Sequence, residues 1–198
     1  MVRTLSSKKR DDLLSAALKL FVENGVQNTT TAKIAAKAGI AAGTLFLYFP
    51  TKQDLINALI LKISKEQSEA INALLAPSLS ARDAFLTIWN GSIRWFIENK
   101  DAYAYVQQVR DSGTIPEAVV QESNSLFGYY YEAILKGHQE GSIKPLPVEL
   151  IGGIIYQDIV AVMNLIRMQP DLEKQEAYIQ QGFEIFWNGI RAENTNMQ

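Results

Sequence analysis

The sequence contains no cysteine and a single histidine, His138. The missing thiols exclude disulfides, zinc-thiolate sites and thiol nucleophiles. One histidine is too few for most histidine-based metal sites, and no G-x-S-x-G, H-E-x-x-H or P-loop motif occurs. We therefore predict that the protein is not an enzyme and needs no metal or cofactor.

Long hydrophobic runs are also lacking. The longest apolar stretch, residues 151–166, is interrupted by Gln157, Asp158 and Asn164. It is shorter than the roughly 20 residues that a membrane-spanning helix needs, so we expect a buried helix and no membrane partner. The N-terminal residues contain no apolar segment, which predicts no signal peptide. A chain without cysteine is compatible with the cytoplasm, where we expect this protein.

Charge is distributed unevenly along the chain. Residues 1–52 carry eight basic and three acidic side chains, whereas the remaining residues carry 11 basic and 18 acidic ones. A basic segment on an acidic body favours a polyanionic partner that contacts one end of the molecule.

The apolar pattern has helical periodicity, and no alternating strand pattern occurs. All six prolines fall where the apolar period starts or stops. The sequence predicts an all-α protein with a helix-turn-helix domain over 1–50 and a larger helical ligand-binding and dimerisation domain over 51–198. The expected helices, about nine, span residues 7–24, 31–38, 41–47, 51–75, 81–99, 101–111, 116–139, 148–168 and 171–191.

The segment from Thr29 to Leu55 has the spacing of a helix-turn-helix motif. Ala35 is small where two helices approach each other, and Gly39 follows where the turn needs a positive φ. Leu45 can fill the angle between the two helices. A helical hairpin buried in a core would have the same spacing, so the frame alone leaves both readings open.

The polar residues around this frame favour contact with DNA. Thr30 or Thr31 can cap the first short helix, and Gly43 would let the second helix approach a groove. The alternative for these side chains is a solvated polar face, especially for the lysines. The candidate DNA-binding residues are Thr30, Thr31, Lys33, Ala42, Gly43, Thr44, Leu47, Tyr48 and Lys52.

The run from Thr31 to Leu55, with the helix upstream, resembles the N-terminal domain of the TetR family of bacterial transcriptional regulators. The resemblance covers about residues 8–60 and implies a three-helix DNA-binding domain on a helical ligand-binding and dimerisation domain. It places Thr31, Tyr48 and Lys52 on phosphates. It places Ala42, Gly43 and Thr44 at the start of the recognition helix, beside base edges.

Three positions depart from the pattern of that family. Ala41 stands where serine or threonine is common, so we expect the recognition helix to lack a side-chain cap, a loss of about 1 kcal/mol. Ala42 and Phe46 replace longer polar or tyrosine side chains. With few hydrogen-bonding groups, specificity would depend more on thymine methyl groups and on DNA shape.

The C-terminal two thirds is rich in aromatic residues on helices. Most are expected in the core, but a pocket with an apolar lining and a few polar groups can be drawn from the same set. The candidate ligand-binding residues are Trp89, Tyr103, Gln107, Tyr130, Tyr156 and Asp158. For an interface between two copies, the candidates on the last two helices are Ile151, Ile155, Ile159, Val162, Ile179, Phe183, Phe186 and Ile190; packing within one subunit is the alternative.

These observations favour a ligand-responsive transcriptional regulator, of the repressor type, that binds a palindromic DNA operator as a homodimer. Its expected partners are the double-stranded operator, a small-molecule effector and a second copy of the chain. The alternative is a helical protein-interaction module with a degenerate helix-turn-helix. The sequence names neither the effector nor the operator.

Overall fold

The computed structural model describes residues 5–111 and 113–193. These residues form ten helices and no strand, which confirms the all-α prediction. The helices are α1 (Ser7–Asn24), α2 (Thr31–Lys37), α3 (Ala42–Tyr48), α4 (Lys52–Asn72), α5 (Ala81–Glu98), α6 (Lys100–Asp111), α7 (Glu117–Ser125), α8 (Gly128–Glu140), α9 (Val148–Met168) and α10 (Leu172–Ile190).

The single helix predicted over 116–139 is wrong, because the structure has two helices there, α7 and α8. The break falls at Leu126 and Phe127, after a run of serine and asparagine. The Ser125 hydroxyl donates to the Glu122 carbonyl at 2.7 Å. Side chains of this type compete for helical backbone groups, and Gly128 lowers the helical preference further.

The ends of α1 follow the sequence prediction. The Ser6 side chain accepts a hydrogen bond from the Lys9 amide and caps the start of the helix. Gly25 ends the helix at φ 81°, a conformation that favours glycine. Leu13, Leu14 and Phe21 are fully buried, so α1 contributes one apolar stripe to the core.

The chain divides into two compact units. Unit 1 comprises residues 1–66 and 98–126, and unit 2 comprises residues 67–97 and 127–198. In unit 1, α6 packs against α1, and the Phe21 and Tyr105 rings stack with centroids 5.7 Å apart. The Tyr105 hydroxyl donates to the Ile56 carbonyl of α4 at 2.9 Å, so α6 holds both α1 and α4. The boundary after residue 50 stays a sequence-based prediction.

Unit 2 has an aromatic core. Trp89 stacks on Phe186 and meets Phe183 edge to face, and all three rings are buried. The Trp89 indole donates to the Ile179 carbonyl at 2.9 Å. Gly182 lies against this core, where an added Cβ would come within 2.6 Å of a Val162 methyl group. The position therefore has no room for a larger residue.

Helix α9 is longer than the apolar stretch of residues 151–166, which was expected to be too short to cross a membrane. It has 21 residues and, among the described residues, is the one helix that is long and apolar enough for that by length and composition. Its buried residues recur every three or four positions, and it packs against α8 and α10. These contacts account for its buried apolar residues, while Leu150, Ile154, Leu165 and Met168 stay exposed.

The eight residues predicted at a dimer interface lie instead in the interior of unit 2. Each is between 0% and 6% exposed, because α9 and α10 turn these side chains toward each other and toward the aromatic core. Side chains this buried have no surface to offer a second chain. That prediction is corrected: the residues Ile151, Ile155, Ile159, Val162, Ile179, Phe183, Phe186 and Ile190 form a core.

Candidate nucleic-acid interface

Helices α2 and α3 form a tight helix-turn-helix. Gly39 has φ 68°, as the sequence predicts, and the Ile40 amide donates to the Ala35 carbonyl at 2.9 Å. Ile34, Ala35 and Leu45 are buried where the two helices meet. The frame of small residue, glycine and leucine thus has the roles in the turn and core that its spacing indicates.

The two helices begin differently. The Thr30 hydroxyl accepts from the Lys33 amide at 3.3 Å and caps α2. Ala41 precedes α3 and makes no side-chain cap, which confirms the expected loss. Of the candidate residues at these starts, Thr30, Lys33, Ala42 and Gly43 are exposed and Thr31 is half-buried.

Tyr48 and Lys52 are both held by backbone groups. The Ser6 amide donates to the Tyr48 hydroxyl at 3.0 Å, which leaves the phenol proton available for an acceptor outside the chain. The Lys52 ammonium donates to the Gln27 carbonyl at 3.3 Å and keeps two further donors. Partial burial lowers the pKa of Lys52 from its ordinary value. Ser6 and Gln27 position these side chains, a role that no motif in the sequence indicates.

The start of α4 fixes the position of Lys52. The Asp54 carboxylate accepts from the Thr51 amide at 2.9 Å and from the Thr51 hydroxyl at 2.8 Å. In return, the Thr51 hydroxyl accepts from the Asp54 amide at 3.1 Å. This reciprocal cap begins α4 directly before Lys52.

The exposed face of α3 is apolar. Leu47 is 64% exposed and Phe46 is 47% exposed, although leucine and phenylalanine more often lie inside. Thr44 is half-buried on the same helix. The sequence-based site included Leu47 but omitted Phe46, which the structure presents on the same surface. The sequence did contain a signal for this exposure. Because Leu45 fills the core position of this short helix, the adjacent Phe46 faces outward.

Basic side chains lie on the neighbouring helices α1 and α2, although some have partners within the chain. Lys37 forms an ion pair with Glu23 at 3.4 Å, and the Arg10 guanidinium lies 5.5 Å from the centroid of the Phe49 ring. Lys33 makes no ion pair with the described residues and is exposed. Exposed ion pairs contribute little to stability, so these charges remain available for a polyanion.

The candidate ligand-binding residues fall into both units. Tyr103 and Gln107 belong to unit 1, where the Gln107 Nε2 is buried without a hydrogen-bond partner among the described residues. In unit 2 the Tyr130 hydroxyl lies 3.5 Å from the Ser92 hydroxyl, and burial raises the pKa of Tyr130 to about 12. The remaining three, also in unit 2, are buried Trp89 and half-buried Tyr156 and Asp158.

Comparison with known proteins decides the family. Residues 13–59 match the family of bacterial regulatory proteins called tetR, and residues 60–192 match tetracyclin repressor-like C-terminal domains. The chain belongs to the TetR family. This TetR-family protein is accordingly a ligand-responsive, DNA-binding transcriptional regulator, and its family consists of regulators rather than enzymes.

Several relatives of this TetR-family protein match most of its length. An uncharacterized HTH-type transcriptional regulator of Bacillus subtilis, YhgD, is 22% identical over 86% of this chain and 91% of its own. The crystal structure of a tetR family transcription regulator from Shewanella sp. PV-4 is 28% identical, with a TM-score of 0.87 over 93% of this chain and 99% of its own. The regulator FadR from Bacillus subtilis, solved with stearoyl-CoA, shares the fold at 23% identity and a TM-score of 0.74, over 91% of this chain and 98% of its own.

Proposed function

We propose that this TetR-family protein is a homodimeric, cytoplasmic repressor that binds a palindromic operator and releases it when an effector binds. The observation that carries the DNA-binding part is the helix-turn-helix with Tyr48 and Lys52 held beside it by backbone hydrogen bonds. Preordered donors of this kind suit phosphate oxygens, because little side-chain freedom is lost on binding.

The proposed contacts divide into two groups. Thr31, Tyr48 and Lys52 bind phosphates, with Thr30 ordering the start of α2 and Lys33 adding charge. The second group faces the bases from α3 and consists of Ala42, Gly43, Thr44 and Leu47. Phosphate contacts set affinity and orientation, whereas contacts with base edges set sequence preference.

The dimer is proposed to form through the exposed apolar faces of α9 and α10, in place of the buried residues named from the sequence. Apolar side chains remain exposed there after the core has formed, and a two-fold pair of recognition helices suits a palindrome. The exposed residues are Leu150, Ile154, Leu165, Met168, Leu172 and Ile185.

The effector is proposed to act by a population shift. A ligand that binds one conformation of the C-terminal domain better than another favours that conformation. Within unit 1, Tyr105 links α6 to two other helices, since its ring stacks on Phe21 of α1 and its hydroxyl donates to the Ile56 carbonyl of α4. Movement of α6 would therefore move α1 and α4. An effector screen would begin with aromatic compounds, which the tyrosine content favours, and with acyl-CoA thioesters, because FadR was solved with one.

The decisive experiment measures binding of the purified protein to DNA from upstream of its own gene, at two salt concentrations and against random DNA. Tight binding that weakens as salt rises supports phosphate anchoring. A reporter under that promoter should be expressed less when the protein is present, and an effector should reverse this. Absence of any preference over DNA selected from the genome would contradict the proposal and favour the protein-interaction alternative.

A further inference from the structure

The exposed face of α3 contains no hydrogen-bonding side chain. Ala42, Gly43, Phe46 and Leu47 are exposed, and their spacing places them on one face of the helix. The two polar residues of α3 are less exposed: Thr44 and Tyr48 are half-buried, and the Tyr48 hydroxyl accepts a hydrogen bond from the Ser6 amide. The exposed side chains of this face can make only apolar contacts.

That chemistry restricts which base edges α3 can recognise. In the major groove, guanine, cytosine and adenine are distinguished by hydrogen-bond donors and acceptors, which proteins read with arginine, asparagine, glutamine or carboxylates. The C5-methyl group of thymine is the apolar feature of that groove in unmodified DNA. An apolar face is therefore complementary to thymine methyl groups.

Charge and shape favour DNA over another protein as the occupant of this face. The segment from α1 to α3 carries six basic and three acidic residues, including exposed Lys33. A Cβ added at Gly43 would meet nothing within 4 Å, so the space beside the helix is open to a groove. An apolar surface on a segment of net positive charge is complementary to a methyl-lined groove between phosphates.

We infer that Phe46 and Leu47 determine specificity by contacting thymine C5-methyl groups, so that the operator half-site is recognised by its pattern of methyl groups. The inference rests on the proposed DNA-binding function and adds the chemical class of the bases that are read. Phe46 has no hydroxyl, and its exposed ring provides a large apolar surface at that position.

The test removes single methyl groups from DNA. The probe is a duplex that the purified protein selects from a random-sequence pool, with each half-site thymine replaced in turn by uracil, which lacks only the methyl group. Removal of each contacted methyl group should lower the affinity about fourfold, as expected for the burial of one carbon. Uracil outside the half-sites should change nothing.

Protein variants assign the effect to particular side chains. At the thymines that Phe46 contacts in the unaltered protein, Phe46→Ala should bind the thymine and uracil duplexes equally. Leu47→Ala should do the same at the thymines that Leu47 contacts. Lys33→Ala is the matched control, since it removes a positive charge and should weaken both duplexes alike while keeping their affinity ratio. Both apolar positions are exposed, and circular dichroism would check that each variant folds.

The outcomes are separable. Equal binding of thymine and uracil duplexes by the unaltered protein at every half-site position overturns the inference but leaves the DNA-binding function intact. Retention of the uracil effect in both Phe46→Ala and Leu47→Ala overturns the assignment to these side chains. Failure to select any duplex from the pool would instead contradict the proposed function itself, and the inference with it. Should a variant fail to fold, the uracil series with the unaltered protein still decides.

Discussion

Two surfaces of this protein expose large apolar side chains, and their electrostatic surroundings differ. The segment from α1 to α3, which includes Phe46 and Leu47, carries six basic and three acidic residues. Helices α9 and α10, which expose Met168 at 85% and Ile185 at 73%, carry two basic and five acidic residues. The first surface is complementary to a polyanion, whereas the second would be repelled by one.

Exposure of apolar side chains alone does not identify a partner. Large exposed apolar residues indicate an interaction surface, and the sign of the neighbouring charge indicates which kind. A second copy of the chain suits the acidic surface better, because interfaces between subunits combine an apolar centre with a polar rim.

A charge on α10 should break the proposed dimer. Ile185→Glu would place two symmetry-related carboxylates in an apolar and already acidic interface, which should raise the dimer dissociation constant on the order of a thousandfold. Sedimentation equilibrium would measure this. Val120→Glu adds the same charge at an exposed apolar position of α7 and should leave the dimer unchanged. An unaltered association constant in Ile185→Glu would refute the interface.

Loss of the phosphate anchors should weaken operator binding strongly. The double variant Lys52→Ala, Tyr48→Phe removes a charged donor and a hydroxyl donor, for an expected loss on the order of a hundredfold. Affinity should also fall less steeply with salt. Lys65→Ala, an exposed lysine further along α4, serves as the control and should bind nearly as well as the unaltered protein. A double variant that binds like this control would contradict the anchoring role.

Replacement of two glycines of α10 by alanine should change the free energy of unfolding in opposite directions. Gly182→Ala would place a Cβ 2.6 Å from a Val162 methyl and 2.9 Å from the Trp89 ring, so we expect a loss of about 1–3 kcal/mol in the free energy of unfolding. Gly189→Ala meets nothing within 4 Å and should gain up to about 1 kcal/mol from helix propensity. Urea denaturation of both would measure the difference, and equal midpoints would contradict the packing of unit 2.

Restoring the missing cap should stabilise the recognition helix. Ala41→Ser offers a hydroxyl to the free amides at the start of α3, worth about 0.5–1 kcal/mol. Hydrogen exchange of the α3 amides should slow accordingly. Ala36→Ser makes the same chemical change at an exposed position within α2, where it should be neutral or slightly destabilising. If both variants exchange alike, the absent cap has no energetic consequence.

The smallest effect concerns the acidic surface. Burial raises the pKa of Asp158, so the folded state binds its proton more tightly than the unfolded state does. The resulting stabilisation is present below the ordinary aspartate pKa of about 3.9 and is lost as the pH rises through the raised value. Asp158→Asn removes that titration, so its unfolding free energy should change less between about pH 7 and pH 4. Glu149→Gln, an exposed site on α9, is the control, and identical pH profiles for both would contradict the shift.

Local chemistry accounts for what the sequence predicted well. The caps at Ser6 and Thr30, the positive φ at Gly39 and the buried Leu45 each depend on a residue and its near neighbours. The missing cap at Ala41 belongs with them. Such features are predictable because helix ends and tight turns restrict which side chains can satisfy their backbone groups.

Helical periodicity identified which residues of α9 and α10 are apolar, but not what they contact. Ile155 and Phe183 were expected between two chains and are buried within one. A stripe of apolar residues has the same period whether its partner is a neighbouring helix or a second subunit. The break between α7 and α8 was missed for a related reason, since a serine hydroxyl bonded to its own helix gives a weak signal in sequence.

The all-α class, the helix-turn-helix and its family can be read from the sequence, because each follows from periodicity, turn chemistry and a local motif. Three features required the folded structure: Ser6 and Gln27 hold Tyr48 and Lys52, Phe46 is exposed, and the apolar stripe of α9 is core. Those outcomes depend on which residues distant in sequence become neighbours. The free energy of packing decides this, and no single stretch of sequence contains it.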